Sequence, residues 1–436
     1  MAFGLFILLN GILFIRPAEL IPILEPFRLY LIVMFFCITT SGDRIFHQLE
    51  MKNLVNNPIT LCCLGLLVSV VMSHLRHGSI YDARFSGAEF IKLVIYYLLC
   101  LSCINTPSKL NSFISWFLVF TLISTVLALL QFYGLVNIPA LAAYEQREFD
   151  EITGEFIIFS RLCGSGLFND PNDICLILMV STLLCLHRLM SRPDGISRFL
   201  YLAPISVYLL AIAQTQSRGG FLSLTTSLLV WSTCFLGFKK TLMIGSIALP
   251  FMIYGIGGRI TNIDIENGTG QHRIQLWREA LELMREYPLF GIGQGMLPEY
   301  TRLVAHNSYV HAYSELGFFG GTCFVGLVFL SIAQLIKMPK TVDTNEDSNL
   351  VSLRPYILGI VCGYSMGIMT LSRVYSVPTY LIFGLAATYL SLCELQFNRR
   401  INWRVNLEFM FKLCGISLVS LLALEIGSRL LVNWEG

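Results

Sequence analysis

The sequence predicts an all-α protein, a polytopic bundle of transmembrane helices. Of its 436 residues, 55% are hydrophobic and only 13% are charged, which is about half the charged share of an average soluble domain. The mean hydropathy is +0.67, and apolar runs of roughly 20 residues, long enough to cross a bilayer core, recur along the chain. These runs are too long and too uniformly apolar for the alternating strands of a membrane barrel.

We expect 12 or 13 spans, because the first is short and could pair with the second. The N-terminal run lacks a basic leader and a clear cleavage site, so it is taken as a retained span. All polar connections are too short to stabilise a soluble core, so residues 1–436 are expected to form a single integral membrane domain. The expected spans lie near residues 3–15, 27–42, 59–75, 88–106, 110–134, 172–190, 199–214, 219–236, 240–257, 308–336, 354–371, 376–394 and 409–432.

Charge placement predicts the orientation. The lysines outside the spans fall in alternate connections, which the positive-inside rule assigns to the cytoplasm. The remaining connections face outward, and the two longest are residues 135–171 and 259–305. Arginine forks bind phosphate or carboxylate in bidentate fashion, although arginines at helix ends also snorkel to the interface. The outward connections contain no lysine but include Arg147, Arg161, Arg218, Arg259, Arg273, Arg278, Arg285, Arg302 and Arg373.

The outward loop 135–171 begins with a polar stretch, expected on the membrane surface, and continues with turn-forming glycines. Asp170 precedes Pro171, an order that suits a helix cap followed by the first helical residue. The alternative is that residues 169–173 form a polar lip of a substrate cavity beside Arg161.

The outward loop 259–305 contains an amphipathic helix, expected at residues 271–287, that would lie over the outer mouth of the bundle. Pro288 ends it. The segment Gly291-Ile292-Gly293-Gln294-Gly295 follows. No strand precedes it, so it is not a dinucleotide-binding fingerprint, and its glycines are expected to form a tight turn.

His306 and Asn307 open the next span. On a continuous helix, His306 would share a face with Val310, Tyr313 and Gly317. Glu315 is interpreted as a buried structural partner of an arginine rather than a catalytic group. Near the C-terminus, the four-residue spacing of Glu425 and Arg429 predicts an ion pair.

The 13 cysteines show neither a disulfide framework nor metal-ligand spacing, so no metal or cofactor is expected. No nucleotide-binding motif is present, and the net charge of +2 gives no indication of nucleic acid as a partner.

Three boxes of sequence resemble those of the bacterial O-antigen ligase superfamily. His306-Asn307, nine residues, Gly317, two residues and Gly320 resemble its H-[N/S/Q]-x9-G-x-x-G signature. The superfamily often has threonine next, whereas this chain has Gly321 before Thr322. The second box is Gln216-Ser217-Arg218-Gly219-Gly220, and the third is Arg273-x3-Trp277 followed by Pro288-Leu289 and the glycine-rich segment. The resemblance covers roughly residues 160–330.

The resemblance implies a GT-C-like bundle in the bacterial inner membrane with its active site on the periplasmic face. Such enzymes transfer a glycan from undecaprenyl diphosphate to an acceptor hydroxyl, on a lipid core or another glycan, without a metal. The implied base is His306, and attack opposite the diphosphate would invert the anomeric centre. The implied roles of the other residues are diphosphate binding by Arg218, Arg273, Arg278 and Arg161, with Arg302 in reserve, and substrate orientation by Asn307 and Tyr313.

Several functions remain open at this point. Within the superfamily, ligases, O-antigen or exopolysaccharide polymerases and protein glycosylating enzymes share these boxes, and ligase is the preferred interpretation. A flippase or transporter of lipid-linked glycans would also be polytopic. It would need charge through the membrane depth, whereas here the charge gathers on one side. A structural subunit of an envelope complex would not require the arginines and histidine.

Overall fold

The structure is a computed structural model, and it describes residues 1–150, 155–191, 196–246, 269–338, 348–397 and 403–432. Eleven of the described helices are long and apolar enough to cross a membrane, and Ala2–Ile15 is a shorter apolar helix. The predicted all-α fold class is confirmed, and the chain is a multi-pass membrane protein.

The chain forms two compact units. Unit 1 consists of Met1–Thr40, Thr106–Asn262 and Asp347–Gly367. In this unit Ser223 Oγ donates to the Gly363 carbonyl at 2.7 Å, so two helices approach closely at small residues. Its principal described helices are Ala2–Ile15, Pro107–Phe132, Pro171–Ser191, Leu202–Thr215, Arg218–Leu236 and Ser348–Gly367.

Unit 2 consists of Ser41–Asn105, Ile263–Glu346 and Ile368–Gly436. The helix Leu29–Leu49 contributes to both units. Small residues again line a close helix pair, because a side chain at Gly65 would collide with Cys323 and one at Gly320 would press on Ser69. The principal described helices of unit 2 are Pro58–Leu75, Ile80–Cys103, Thr269–Glu286, Ser308–Lys337, Val377–Phe397 and Leu407–Leu431.

The remaining described elements are short. One antiparallel hairpin pairs Tyr144–Asp150 with Glu155–Arg161, and Tyr144 lies opposite Arg161. The sequence predicts a polar surface segment there and does not predict strands. The shorter helical elements are Pro17–Leu20, Pro22–Phe27, Met51–Leu54, Pro139–Leu141, Gly166–Phe168, Ile196–Tyr201, Leu297–Thr301 and Ile368–Thr370.

Most predicted spans coincide with described helices, with two qualifications. Residues 238–246 are helical, but the rest of the predicted span 240–257 and the start of the loop 259–305, up to residue 268, lie outside the described residues. The helix Ser308–Lys337 is interrupted at Gly317, where φ is 66° and ψ is −166°. The expectation of a continuous helix is therefore wrong at this residue.

Candidate functional site

His306 lies immediately before the helix Ser308–Lys337, in the left-handed region with φ 49°. Few residues other than glycine adopt this conformation. Asn307 is the N-cap of the helix, and its Oδ1 accepts from the backbone N–H groups of Tyr309 at 3.0 Å and Val310 at 3.3 Å. Because His306 is not helical, the expectation that it shares a helix face with Val310 is wrong. Its side chain is half-buried.

The segment leading to His306 is held by the amphipathic helix, which runs over Thr269–Glu286 and ends before Pro288, as predicted. Trp277 Nε1 donates to the carbonyl of Ala305 at 2.7 Å. The backbone is thus fixed on both sides of His306, by Trp277 before it and by the Asn307 cap after it. Apolar residues of the helix, the following loop and the next helix are buried in one cluster: Ala280, Leu281, Ile292, Leu297, Ala305 and Val310.

The glycine-rich segment packs directly against the interrupted helix. Gly291, Gly293 and Gly295 have φ of 71°, 112° and 78°, which confirms the predicted tight turn. A side chain on Gly291 would collide with the backbone of Glu315, and one on Gly317 with the backbone of Leu289. Four backbone hydrogen bonds join the two segments: Ile292 to Ser314 at 3.1 Å, Gly293 to Glu315 at 3.1 Å, Phe318 to Pro288 at 2.7 Å and Phe319 to Leu289 at 3.2 Å.

Glu315 is 0% exposed and holds this loop through its side chain. Its Oε2 accepts from the Gly295 N–H at 2.8 Å, and its Oε1 accepts from the Leu297 N–H at 3.1 Å. His311 Nε2 lies 3.0 Å from Oε1. The prediction of a structural arginine partner is therefore wrong, because the carboxylate contacts a histidine and two backbone amides instead.

Two neighbouring elements contact the same region. The ring of Tyr375 meets the His311 ring edge-on, with centroids 5.4 Å apart. Burial and the nearby Glu315 charge raise the pKa of the Tyr375 phenol well above its usual range, so this hydroxyl stays protonated. Ser308 Oγ accepts from the Arg373 N–H at 2.8 Å and donates to the Leu371 carbonyl at 2.6 Å. The connection 371–376 is thereby tied to the first residue of the helix.

The arginines of unit 2 have different environments. Arg273 is half-buried on the amphipathic helix, and Arg302 is exposed with φ 62°. Arg278 pairs with Glu282 at 2.8 Å and with Glu425 at 2.5 Å. Arg278 is thus placed in ion pairs that join the amphipathic helix to the C-terminal helix.

Glu425 is the centre of this group of ion pairs. It also receives the guanidinium of Arg285 and pairs with Arg429 at 2.8 Å, the second contact being the one predicted. Three arginines therefore share one carboxylate, of which only 15% is exposed. The arrangement stabilises the docking of the helix Thr269–Glu286 on the helix Leu407–Leu431.

In unit 1, the box around Arg218 forms a helix start. Gln216 is in the left-handed region with φ 46°, and Ser217 is the N-cap, accepting from the Gly220 N–H at 3.0 Å. Arg218 is the first residue of the helix Arg218–Leu236 and is half-buried. Backbone N–H groups and the helix dipole make such a terminus attractive to anions, and an arginine there adds a full positive charge.

Arg161 is only 3% exposed and supports this turn from behind. Its Nε donates to the Thr215 carbonyl at 2.8 Å, and its two terminal nitrogens donate to Gln146 Oε1 at 2.8 Å and Asn172 Oδ1 at 3.1 Å. Ser217 Oγ donates to the same Asn172 oxygen at 2.6 Å. The second residue of the helix Pro171–Ser191 thus joins Arg161 to the Arg218 box.

Asp170 caps the helix Pro171–Ser191, with its Oδ1 accepting from the Asn172 N–H at 2.7 Å. This is the cap that the sequence predicts. Tyr313 is fully buried, and its Oη lies 2.9 Å from both the carbonyl and the hydroxyl of Ser417. It connects the interrupted helix to the C-terminal helix, while its predicted role in orienting the substrate remains a prediction.

The structure divides the predicted site residues between the two units. Unit 1 contains Arg161 and Arg218, and unit 2 contains His306 and the remaining predicted residues. Within unit 2, the His306 and Trp277 boxes are parts of one structure, joined at Ala305 and along the glycine-rich segment. Sequence reasoning missed the His311–Glu315 pair, although its four-residue spacing on a helix is a readable signal.

A comparison with protein families identifies the segment that carries these boxes. Residues 203–325 match the family model described as O-Antigen ligase. The family predicted from the sequence is therefore confirmed for this segment, which includes every predicted site residue except Arg161. No curated protein matches the chain significantly.

Proposed function

We propose that this membrane protein transfers a glycan from a lipid diphosphate carrier to an acceptor hydroxyl on the outward face of the bacterial inner membrane. The observation that carries the proposal is the O-Antigen ligase match over residues 203–325, which includes Arg218, Arg273 and His306. The structure supports it with a half-buried histidine that is held on both sides, at the start of a membrane-spanning helix.

In this proposal, His306 accepts the proton of the attacking hydroxyl. An imidazole is suited to this role because its ordinary pKa lies close to neutral pH. The diphosphate leaves with its negative charge, and Arg218 and Arg273 stabilise that charge. The helix terminus at Arg218 favours the same anion, and attack from the opposite side inverts the anomeric centre.

The roles of the other predicted residues follow their environments. Asn307 orients the substrate beside His306, whereas Arg161 acts through the turn that presents Arg218. Arg278 holds the amphipathic helix through Glu425 and meets the diphosphate only if those ion pairs open. Tyr313 supports the helix from its buried position. We prefer a ligase, which adds a finished glycan to a lipid core, and a polymerase of the same superfamily is the alternative.

The test is transfer in proteoliposomes containing purified protein, undecaprenyl-diphosphate glycan and either a lipid-core acceptor or a second donor molecule. A single addition to the lipid core supports a ligase, and a ladder on the donor alone supports a polymerase. Substituting alanine for His306 is expected to slow transfer roughly 10²- to 10⁴-fold, the usual contribution of a general base.

Two controls make this result specific. Arg218→Ala and Arg273→Ala are expected to reduce transfer strongly, while Arg147→Ala, at an exposed position of the hairpin, leaves it unchanged. Movement of the donor between leaflets without transfer would contradict the enzyme and support a flippase. Undiminished transfer by well-expressed His306→Ala protein would contradict the role of His306.

A further inference from the structure

Three buried polar atoms at the start of the helix Ser308–Lys337 have no hydrogen-bond partner among the described residues. They are Nδ2 of Asn307 and both ring nitrogens of His311, whose residues are 0% and 5% exposed. An unsatisfied buried polar group is costly, so native proteins rarely keep one without a reason. Asn307 is the N-cap, and the His311 N–H donates to its carbonyl at 2.9 Å, so the two residues are neighbours at the first turn of the helix.

The contacts around each residue indicate whether its unpartnered atom is a donor or an acceptor. Asn307 Oδ1 caps the helix by accepting two backbone hydrogen bonds. The amide nitrogen, Nδ2, is therefore the atom of this side chain that is left without a hydrogen-bond partner. A nitrogen of this kind is a donor.

His311 is fixed by Glu315. Both oxygens of the Glu315 carboxylate accept backbone hydrogen bonds, from Gly295 and Leu297. His311 Nε2 lies 3.0 Å from Oε1, at ion-pair distance but outside hydrogen-bond geometry, so we assign the ring hydrogen to the nitrogen that faces the carboxylate. In the neutral ring with this tautomer, the other ring nitrogen, Nδ1, is an acceptor. The edge-on contact with Tyr375 holds the plane of the ring.

A hydroxyl group both donates and accepts, and so it matches a donor and an acceptor one turn apart. We propose that Asn307 Nδ2 and His311 Nδ1 bind a hydroxyl of a sugar ring, and that Glu315 is the positioning residue that orients His311 for this contact. The inference rests on the proposed function, which places glycan beside His306. The hydroxyl belongs either to the donor glycan or to the acceptor.

Two substitutions of His311 separate sugar binding from a purely structural role. The amide of asparagine reaches the place of Nδ1, and the longer glutamine places its amide near Nε2. His311→Gln keeps a group facing Glu315 but loses the sugar contact, so we expect a KM about tenfold higher with little change in melting temperature. His311→Asn is expected to show the opposite pattern, with a lower melting temperature and a KM close to that of the wild type.

The source of the hydroxyl follows from which KM changes. Donor is varied at saturating acceptor, and then acceptor at saturating donor. The exposed His47 provides the matched control, since His47→Gln leaves both KM values unchanged. Unchanged KM values for both substrates in His311→Gln would overturn the proposal and assign the pair to a structural role.

A binding measurement keeps this test separate from that of the proposed function. Purified protein is titrated with oligosaccharide released by mild acid from the host's own lipid-linked glycan. We expect His311→Gln and Asn307→Asp each to weaken binding about tenfold, because each removes one hydrogen bond. Equal binding by the wild type and both variants, or no binding by any of them, would overturn the subsite. If the wild type binds the oligosaccharide and the two variants bind it more weakly, but the wild type transfers no glycan, the result would instead contradict the proposed reaction.

Discussion

At the scale of single residues, Glu315 is a buried charged group whose contacts can be tested by substitution. Its carboxylate is fully buried and serves two backbone amides and one imidazole. Glu315→Gln replaces one acceptor oxygen by an NH2 group, which then faces a donor. We expect the free energy of unfolding to fall by about 1–3 kcal/mol, the cost of leaving a buried donor unsatisfied.

Thermal unfolding in detergent measures this effect. The control is Glu408→Gln, at an exposed glutamate on the C-terminal helix, which we expect to leave the melting temperature unchanged. Equal shifts for the two variants would show that the contacts of the Glu315 carboxylate do not stabilise the fold.

Arg161 gives a second prediction at this scale. Its planar fork donates to three acceptors that lie in different directions, and a lysine ammonium cannot reproduce that geometry. We expect Arg161→Lys to reduce the free energy of unfolding by about 3 kcal/mol, since buried groups lose partners. Arg147→Lys on the exposed strand is the matched control in the same melting experiment. A melting temperature equal to that of the control would contradict the supporting role of Arg161.

The sequence predicts candidate site residues more readily than it predicts what they contact. The boxes identify Arg218, Arg273 and His306, and the family match covers all three. The partners of Arg161 and Tyr313 could not be predicted, because Thr215 and Ser417 lie 54 and 104 residues away along the chain. Glu315 was assigned the wrong partner because charge pairing suggests an arginine, whereas two backbone amides and a histidine satisfy it.

At the scale of elements, the glycine-rich segment packs against the break at Gly317, and we call these two contacting segments, residues 288–295 and 314–319, the joint. Hydropathy predicts most ends of the spanning helices to within three residues, because it follows burial in lipid. The helices Leu29–Leu49, Ile80–Cys103 and Ser348–Gly367 extend further than predicted at one end, because polar turns of a helix carry no hydropathy signal. It does not detect a break that another segment fills. The conformation of Gly317 depends on the loop 289–293, and that loop depends in turn on Glu315.

Two glycines of this segment provide an internally controlled prediction. Gly295 has φ 78° and open space around it, so Gly295→Ala meets only the cost of a left-handed residue, about 1 kcal/mol. Gly291 has φ 71° and backbone atoms in the place of a side chain. We therefore expect Gly291→Ala to reduce stability several-fold more than Gly295→Ala. Melting temperatures of the two purified variants measure the difference, and equal values would contradict the tight packing of the joint.

At the scale of the whole molecule, the chain order of the spans determines the side on which His306 lies. Lys239 and Lys240 lie at the start of the helix 238–246 and predict that this end of the helix is cytoplasmic. The amphipathic helix then lies outside only if the chain crosses the membrane once more between residues 240 and 257. That crossing is predicted from hydropathy and lies largely beyond the described residues, so the side of the candidate site depends on it.

Cysteine labelling in intact cells tests this orientation. Cys234 and Cys414 are the exposed cysteines of the described part of the chain and are first replaced by serine. Glu286→Cys and Lys337→Cys are then introduced separately at exposed positions on either side of the helix Ser308–Lys337. We expect a membrane-impermeant maleimide to label Glu286→Cys from outside and to label Lys337→Cys only after the cells are opened. The reverse pattern would show that the chain does not cross the membrane at 240–257. His306 would then lie in the cytoplasm, where a lipid-linked donor on the outer leaflet cannot reach it.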